Sequence, residues 1–395
     1  MGLNDTPKGE RIHIALFGKR NAGKSSLVNE ISGQELSIVS ETKGTTTDPV
    51  YKAMEIAPIG PVMLVDTPGL DDEGSLGQMR VEKAKEVLRK ADMALLVVDG
   101  SNPGDLLIEN NIEKELQRKK IPYIWIYNKM DLIQKKEQKD NRIWVSAKTK
   151  EGIKELKDSF SKVLNLQDEK PIVRDLIESN DLVVLVVPID KAAPKGRLIL
   201  PQQQTIRDIL EKGAIPVVVR DTELEKVFKK LAEMPKLVIT DSQVFKKVEE
   251  IVPKDIFLTS FSILFARYKG ELSRMVKSLK SIEQLMDGDK VLMAEGCSHH
   301  RQCGDIGTEK IPNWLQNYTG KQIVFETASG NEFPKDLSTY KLIIHCGGCM
   351  LNEKEMKARI EMASEQNKPI LNYGLLISYM NGMLDRTLEV FNEEF

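Results

Sequence analysis

The stretch that decides the fold of the first part of the chain is RIHIALFGKRNAGKSSLVNE, residues 11–30. Its apolar half predicts a buried parallel strand, and Gly18 to Ser25 fit the pattern G-x-x-x-x-G-K-[ST]. Glycines let backbone N–H groups close around a phosphate, and the helix that follows directs its positive amino terminus at the same oxygens. The residues expected to bind the nucleotide here are Gly18, Asn21, Gly23, Lys24, Ser25 and Ser26.

A second apolar run, PVMLVDTPGL, predicts a strand that ends at Asp66. A carboxylate at this place would join Ser25 in holding Mg²⁺, while Lys24 reaches the β- and γ-phosphates. Gly69 can present its N–H to a γ-phosphate. The spacing therefore predicts a complete phosphate and magnesium site.

Two more apolar runs, PYIWIYNKMD and RIWVSAK, end in residues that suit a guanine ring. Asp131 can accept hydrogen bonds from both the guanine N1–H and the N2 amine, a donor pair that adenine lacks. The residues expected on the guanine side are Asn128, Lys129, Asp131, Ser146, Ala147 and Lys148. The sequence thus predicts that the nucleotide is GTP.

With the segment ETKGTTTDPV between the first two motifs, the chain resembles the TRAFAC-type GTPases of the tRNA-modifying and ribosome-assembly branch. That resemblance implies Thr46, or its neighbour Thr45, as the switch ligand of Mg²⁺. It implies that Asn21 helps to hold K⁺ in place of an arginine finger. Leu70 stands where Ras-like enzymes have glutamine, so we expect slow turnover. The implied catalytic residues are Lys24, Asn21, Thr46, Asp66 and Gly69.

The middle of the chain alternates short apolar strands with helices, which predicts a parallel α/β sheet with no catalytic pattern of its own. The strands expected are DLVVLVVPID, AIPVVVRD, PKLVITD and DIFLTS, and one helix is expected over residues 261–285. The fold class predicted for the whole chain is α/β in three domains. They are a P-loop GTPase domain with a mostly parallel sheet (1–168), a middle α/β domain (169–270) and a last α/β domain (271–395).

Cysteine and histidine gather near the carboxyl end of the chain, in AEGCSHHRQCGD (294–305) and IIHCGGCM (343–350). Two predicted strands, DKVLMAEG and KLIIHCGG, lead into Cys297 and Cys346. Ligand sites of α/β folds lie at the carboxyl ends of strands, so we expect the two thiols to meet. Cys349 completes a C-x-x-C pair with Cys346.

The residues alone leave three kinds of site open. A Cys3His zinc site would use the three cysteines and one histidine. A 4Fe–4S cluster would use the same thiolates and leave one iron to another ligand. A redox dithiol would need only Cys346 and Cys349. Clustering of all four cysteines in the last third favours free thiols in a reducing, cytoplasmic setting over a disulfide framework.

The order of domains, with CSH and HCGGC in the last one, resembles the HydF family of FeFe-hydrogenase maturation GTPases. This resemblance implies a 4Fe–4S cluster on Cys297, Cys346 and Cys349 with an exchangeable fourth position. His299 and His345 match the signature and are possible ligands, whereas His300 and Cys303 are not assigned a role. Asp305 is a candidate labile oxygen ligand.

By the same resemblance the protein is a homodimeric GTPase scaffold. Residues 169–270 would form the α/β dimerisation domain, and residues 271–395 the α/β iron–sulfur cluster-binding domain. It would assemble or deliver the transient two-iron subcluster to apo FeFe-hydrogenase, with the radical-SAM hydrogenase maturases as further partners. The rivals are an RNA-linked GTPase with a structural zinc and a GTP-gated oxidoreductase. A net charge of −2 and the lack of a basic stripe argue against nucleic acid, and no apolar run is long enough for a membrane span.

Overall fold

The computed structural model describes residues 6, 8–33, 48–70, 74–133, 142–164, 170–189, 198–296, 305–330 and 332–394. The chain divides into two compact units, Asn4–Glu169 and Lys170–Phe395. Within the described ranges, no helix combines the length and the apolar character that crossing a membrane requires.

A six-stranded sheet forms the centre of the first unit, with the strand order β2-β3-β1-β4-β5-β6. Its strands are β1 Ile12–Phe17, β2 Val50–Ile56, β3 Gly60–Asp66, β4 Met93–Asp99, β5 Tyr123–Asn128 and β6 Arg142–Trp144. Among these six strands only β2 runs antiparallel to its neighbour, so the predicted mostly parallel sheet is confirmed. Strand β2 was not predicted, because this edge strand is largely exposed and lacks a continuous apolar run.

Helices lie against both faces of this sheet and create two cores. They are α1 Lys24–Ser32, α2 Gly74–Lys90, α3 Leu107–Arg118 and α4 Ile153–Leu164. Along β1, Ile14 and Leu16 enter one core while Ala15 and Phe17 enter the other. Burial on both faces explains why β1 is apolar throughout, as expected for a central parallel strand.

The second unit contains two four-stranded sheets, and every pair of neighbouring strands is parallel. The first sheet has the order β10-β9-β7-β8, with β7 Leu182–Val186, β8 Ile215–Val219, β9 Leu237–Thr240 and β10 Phe257–Ser260. The four strands predicted for the middle of the chain are thereby confirmed. The second sheet has the order β12-β11-β13-β14, with β11 Lys290–Glu295, β12 Val324–Ser329, β13 Leu342–His345 and β14 Ile370–Asn372.

One large hydrophobic core runs between these two sheets, since it contains Leu185 and Ile239 from the first and Met293 and Ile344 from the second. The helices around it are α5 Leu200–Lys212, α6 Leu224–Phe228, α7 Phe245–Ile251, α8 Phe261–Lys269, α9 Leu272–Ser278, α10 Ile311–Thr319, α11 Glu353–Glu365, α12 Tyr373–Met380 and α13 Leu384–Leu388. Short 3₁₀ or π turns of the chain are Lys8–Glu10, Met130–Leu132, Ser242–Val244, Leu279–Gln284, Ile306–Lys310 and Glu389–Glu394.

The prediction of one helix over residues 261–285 is wrong. The chain breaks at Gly270, whose backbone is extended with φ −119° and ψ −152°. A Cβ atom at this position would lie 2.6 Å from the carbonyl oxygen of Ala266, so the close approach requires glycine. The break makes Lys269 the last residue of α8.

Candidate functional site

The loop between β1 and α1 has the backbone shape that the P-loop pattern predicts. Gly18, Asn21 and Gly23 all have positive φ, at 151°, 59° and 89°. A Cβ at Gly18 would lie 2.1 Å from the carbonyl oxygen of Val97, and one at Gly23 would lie 2.2 Å from Nδ2 of Asn128. Glycine is therefore required at both positions, while Asn21 stands exposed in the loop.

Lys24 begins α1 and is buried, with 6% of its surface exposed. Its Nζ donates to the carbonyl oxygens of Gly18 at 2.9 Å and Lys19 at 2.8 Å. A buried ammonium group needs such partners, because its desolvation is otherwise costly. These bonds close the loop and hold the cation at the place where phosphate oxygens bind in P-loop proteins.

Ser25 and Asp66 meet on the magnesium side of the loop. The Ser25 hydroxyl donates to Oδ2 of Asp66 at 2.5 Å, whereas Oδ1 of Asp66 is buried and accepts no hydrogen bond from the described part of the chain. Burial raises the pKa of Asp66, and the Ser25 hydroxyl and the Lys24 charge oppose that rise. A buried carboxylate oxygen without a donor, beside a serine hydroxyl, is a donor set that suits Mg²⁺.

The segment after β3 packs directly onto the P-loop. A Cβ at Gly69 would lie 2.2 Å from Cγ of Arg20, so a larger residue has no room there. Thr67, which the sequence analysis missed, donates through Oγ1 to the carbonyl oxygen of Leu16 at 2.6 Å. Leu70, at the position compared above with the glutamine of Ras-like enzymes, is buried in the core.

On the guanine side, Asn128 ties two loops together. Its Nδ2 donates to the carbonyl oxygen of Ala22 at 3.0 Å, and its Oδ1 accepts from the amide of Ala147 at 3.1 Å. The side chain is 2% exposed, so it serves as an internal link between the P-loop and the loop after β6.

Asp131 is exposed and accepts a hydrogen bond from the Ser146 hydroxyl at 2.6 Å. Lys129 has a left-handed backbone, φ 65°, and donates to Asp99. Asp99 was missed in the sequence, although its position at the end of the apolar run LLVVD is the same signal that identified Asp66. Two pairs of the predicted guanine-side residues thus come together, Asn128 with Ala147 and Asp131 with Ser146, while Lys148 is exposed. On the phosphate side, Ser26 is exposed. Thr45 and Thr46 lie outside the described residues.

The second candidate site lies at the carboxyl edge of the other unit's second sheet. Strands β11 and β13 are neighbours, with Ala294 opposite His345. The amide of Cys346 donates to the carbonyl oxygen of Ala294 at 2.9 Å. The two strands predicted to lead into Cys297 and Cys346 are confirmed, and they belong to one sheet.

Cys346 is surrounded by backbone donors. Its Sγ accepts from the amides of Gly296 at 3.1 Å and Gly348 at 3.4 Å. Burial raises the pKa of the Cys346 thiol to about 11, and these two amides oppose the rise. Cys349 follows through a turn in which Gly348 has φ 63°, and it is half-buried. Hydrogen bonds of this kind are found on thiolates that hold iron–sulfur clusters.

His345 is fully buried beside Cys346, and both ring nitrogens have partners. Nδ1 lies 2.7 Å from the carbonyl oxygen of Cys346, and Nη1 of Arg359 donates to Nε2 at 3.0 Å. Burial, followed by the Arg359 charge, lowers the pKa of His345 to about 3. Ligation of iron by His345 would require one of these hydrogen bonds to break.

Asp305 caps the turn Ile306–Lys310. Its Oδ2 accepts from the amides of Gly307 and Thr308 at 3.1 and 2.9 Å, and from the Thr308 hydroxyl at 2.9 Å. Cys297, His299, His300 and Cys303 lie outside the described residues. Among the described ones, no three His, Cys, Asp or Glu side chains form a group that could hold a metal ion.

Curated relatives match the first unit. The tRNA modification GTPase MnmE of Legionella pneumophila (strain Corby) is 36% identical over 163 residues, which is 40% of this chain and 36% of that protein. The MnmE protein of Nitrosospira multiformis is 34% identical over 169 residues, with the same two shares. The chain therefore spans about a third of the length of these relatives.

Two solved structures show a partial likeness. A single-residue variant of Aquifex aeolicus Era bound to GDP.AlF4⁻ is 22% identical and covers 53% of this chain and 92% of its own, with a TM-score of 0.35. The G domain of the T. maritima FeoB iron transporter is 24% identical and covers 40% of this chain and 100% of its own, with a TM-score of 0.30.

Three family models match successive parts of the chain. The model described as 50S ribosome-binding GTPase matches residues 13–129. The hydrogen maturase F dimerization domain matches residues 172–270, and the hydrogen maturase F tetramerization domain matches residues 273–390. The last two models together cover more than half of the chain. With a GTPase domain followed by both of these oligomerisation domains, the chain belongs to the hydrogen maturase F family, the GTPases of hydrogenase maturation.

Proposed function

We propose that the protein is a GTPase scaffold that carries a 4Fe–4S cluster on Cys297, Cys346 and Cys349. In this role it assembles the two-iron subcluster or delivers that subcluster to apo FeFe-hydrogenase. The observation that carries the proposal is the pair of backbone N–H groups on the sulfur of Cys346, one of which comes from Gly296, the residue before Cys297.

The surroundings of Cys346 support thiolate ligation. The two amides oppose the effect of burial on the pKa of the Cys346 thiol, and a cluster would replace its proton. The turn at Gly348 returns the chain so that Cys349 lies near Cys346, and β11 leads into Cys297. When bound, the cluster supplies a redox centre with one exchangeable iron position. His345 and Arg359 orient the Cys346 backbone beside it.

The GTPase domain binds GTP with Mg²⁺. We assign Lys24 to the phosphates, Ser25, Asp66 and Thr46 to Mg²⁺, and Gly69 to the γ-phosphate. K⁺ held with the help of Asn21 would supply the positive charge that an arginine finger supplies elsewhere. Because Leu70 is buried in the core, it positions no water. The hydrolysis we propose is therefore slow, and its activation by K⁺ is part of the same proposal.

The domain limits 1–168, 169–270 and 271–395 fit a homodimer built through the middle domain. Strand β8 is the edge of its sheet and pairs only with β7 within the described residues. Ile215 and Val218 on β8 are exposed, as is Leu210 on the adjacent α5. An apolar, unpaired edge is suited to a second copy of the chain. The remaining partners proposed are the radical-SAM maturases and apo FeFe-hydrogenase, in the reducing cytoplasm.

The cluster is tested by anaerobic reconstitution with iron and sulfide. The protein and its Cys297→Ser, Cys346→Ser and Cys349→Ser variants are compared by metal content and by EPR of the dithionite-reduced samples. We expect about four irons per chain and a reduced-cluster signal that each substitution abolishes. Cys303→Ser is the matched control and should keep both iron and signal.

One tightly bound zinc per chain with no EPR signal would contradict the proposal and favour a structural zinc site. A reversible Cys346–Cys349 disulfide without bound iron would instead favour a redox dithiol.

The dimer contact is tested with Val218→Lys and Ile215→Lys. We expect a lower oligomeric mass by light scattering, because a lysine on the edge blocks strand pairing. Met234→Lys, at another exposed apolar residue of the same domain, should leave the mass unchanged. An unchanged mass in the β8 variants would place the dimer contact elsewhere.

A further inference from the structure

A buried lysine contacts the loop after Cys346, residues 347–351. Lys269 is the last residue of α8 and is 2% exposed. Its Nζ donates to the carbonyl oxygen of Leu351 at 2.8 Å, with longer contacts to those of Cys349 at 3.3 Å and Gly348 at 3.4 Å.

The chemistry of the group matches its surroundings. An ammonium group has three N–H donors and no acceptor, and three carbonyl oxygens lie around it. Its charge also lies 5.6 Å from the centre of the Phe265 ring. Because a buried cation is stable only when it is paired or hydrogen-bonded, the Lys269 ammonium group depends on the carbonyl oxygens of the loop.

The contact joins two parts of the chain that the family models separate. Helix α8 belongs to the dimerization domain at 172–270, and the loop belongs to the tetramerization domain at 273–390. Gly270 lets α8 end here: a Cβ on it would lie 3.0 Å from Cε of Met275 and 3.4 Å from Cδ1 of Ile360. The end of α8 is thus fixed by close packing, and it presents the lysine to the loop.

We propose that Lys269 is a positioning residue that holds the loop after Cys346 so that the Cys349 thiol stays beside that of Cys346. The proposal rests on the cluster function proposed above, for which the two thiols must bind one centre. The side chain contacts backbone oxygens of the loop, so it acts through the loop and not as a ligand. Its positive charge also lies at the backbone of Cys349, 3.3 Å from the carbonyl oxygen.

Three variants test this. Lys269→Met removes the donors and the charge at similar volume, Lys269→Arg restores both, and Lys280→Met alters an exposed lysine of the following segment as a matched control. In the iron-free protein, the rate of alkylation of Cys349 is measured by peptide mass mapping. In the reconstituted protein, the rate of iron release to a chelator and the midpoint potential of the cluster are measured.

For Lys269→Met we expect faster alkylation of Cys349 and iron release about 10-fold faster, the effect of removing a group that orients metal ligands. The midpoint potential should fall, because losing a nearby positive charge disfavours the added electron. Lys269→Arg should recover most of each value, and Lys280→Met should match the unsubstituted protein. If Lys269→Met does not fold, Lys269→Gln, which keeps donors without charge, should show the same changes to a smaller degree.

The positioning role would be overturned if Lys269→Met matched the unsubstituted protein in alkylation rate, iron release and midpoint potential. Where Lys269→Met does not fold, the same result for Lys269→Gln would overturn it. Absence of iron from the unsubstituted protein would instead contradict the cluster function. In that case the alkylation rates alone still decide whether Lys269 holds the loop.

Discussion

Two buried lysines, one in each unit, support a glycine-containing loop through backbone carbonyl oxygens, and they differ in where those carbonyls lie. The acceptors of Lys24 are five and six residues before it, in the same loop. The acceptors of Lys269 are 79 to 82 residues after it, in the segment that follows Cys346.

This difference in distance along the chain corresponds to a difference in chemistry. Lys24 stands at the amino terminus of α1, where it is poised to contact phosphate as well as carbonyls. Lys269 has carbonyls as its hydrogen-bond acceptors, on a loop whose thiols carry the proposed chemistry. Substitution of Lys24 should therefore remove a contact with the phosphates that hydrolysis needs. Substitution of Lys269 should instead let the loop after Cys346 move.

The largest effect is expected for Lys24→Met. It removes the cation from the phosphate site and the donors from the loop, so GTP hydrolysis should fall by about 10³-fold or more, as for loss of a preorganised charge contact. The measurement is phosphate release at saturating Mg²⁺ and K⁺.

Iron content after reconstitution is the internal control for Lys24→Met, and it should equal that of the unsubstituted protein. Hydrolysis within about 10-fold of the unsubstituted rate would mean that the lysine does no more than hold the loop, as we propose for Lys269.

The same contrast explains what the sequence could predict. Lys24, Asp66 and the guanine-side residues follow apolar strands at fixed local spacing, and the parallel strands that carry them were confirmed for the same reason. Lys269 gave no such signal, because in the sequence it is one more basic residue of an amphipathic helix. Its role needs the break at Gly270 and a contact with a distant segment.

Other misses have similar causes. Strand β2 is an exposed edge without an apolar run, and Arg359 is identified only by its partner His345, 14 residues away on another element. Local pattern thus predicts strand ends and loops well, while side chains that act across the fold become visible only in three dimensions.

The next largest effect is expected for Asn128→Ala. It tests whether an uncharged side chain that joins two loops affects GTP binding nearly as strongly as a lysine does. The substitution leaves the Ala22 carbonyl and the Ala147 amide without their partner. At about 1–3 kcal/mol for each unmade buried bond, GTP affinity should fall by about 10²-fold. Titration calorimetry measures it.

Asn128→Asp is the charged variant, because it keeps the acceptor for Ala147 but places a carboxylate oxygen against the carbonyl oxygen of Ala22. Its GTP affinity is expected to be no higher than that of Asn128→Ala, since a buried carboxylate oxygen without a donor is costly. Equal affinity for Asn128→Ala and the unsubstituted protein would show that the two loops hold their positions without this link.

A smaller effect is expected for Arg359→Met, in the unit that holds the thiols. Arg359 is another buried cation of that unit, but it donates to the His345 ring, to the carbonyl oxygen of Gly330 and to the Glu355 carboxylate, not to the loop after Cys346. The free energy of unfolding should fall by about 2 kcal/mol, since three acceptors lose their donor. Alkylation of Cys349 should stay unchanged.

Arg359→Lys, which keeps a cation, should recover part of the stability in thermal unfolding. Faster Cys349 alkylation in Arg359→Met would mean that both cations hold the loop, and Lys269 would lose its special role.

The smallest effect is expected for Ser146→Ala. In this loop the supporting donor is a neutral hydroxyl, whereas Lys24 and Lys269 support their loops with a charged amine. Ser146 donates to Oδ1 of Asp131 and accepts from the amide of Thr149, so it orients the carboxylate that would read guanine. Asp131 itself is exposed, and water can replace the lost donor. GTP affinity should therefore fall only about 5-fold, a loss of ~1 kcal/mol, in the same calorimetric titration. Ser161→Ala, on α4, should show no change. A loss as large as that of Asn128→Ala would mean that orienting the carboxylate matters as much as joining the loops.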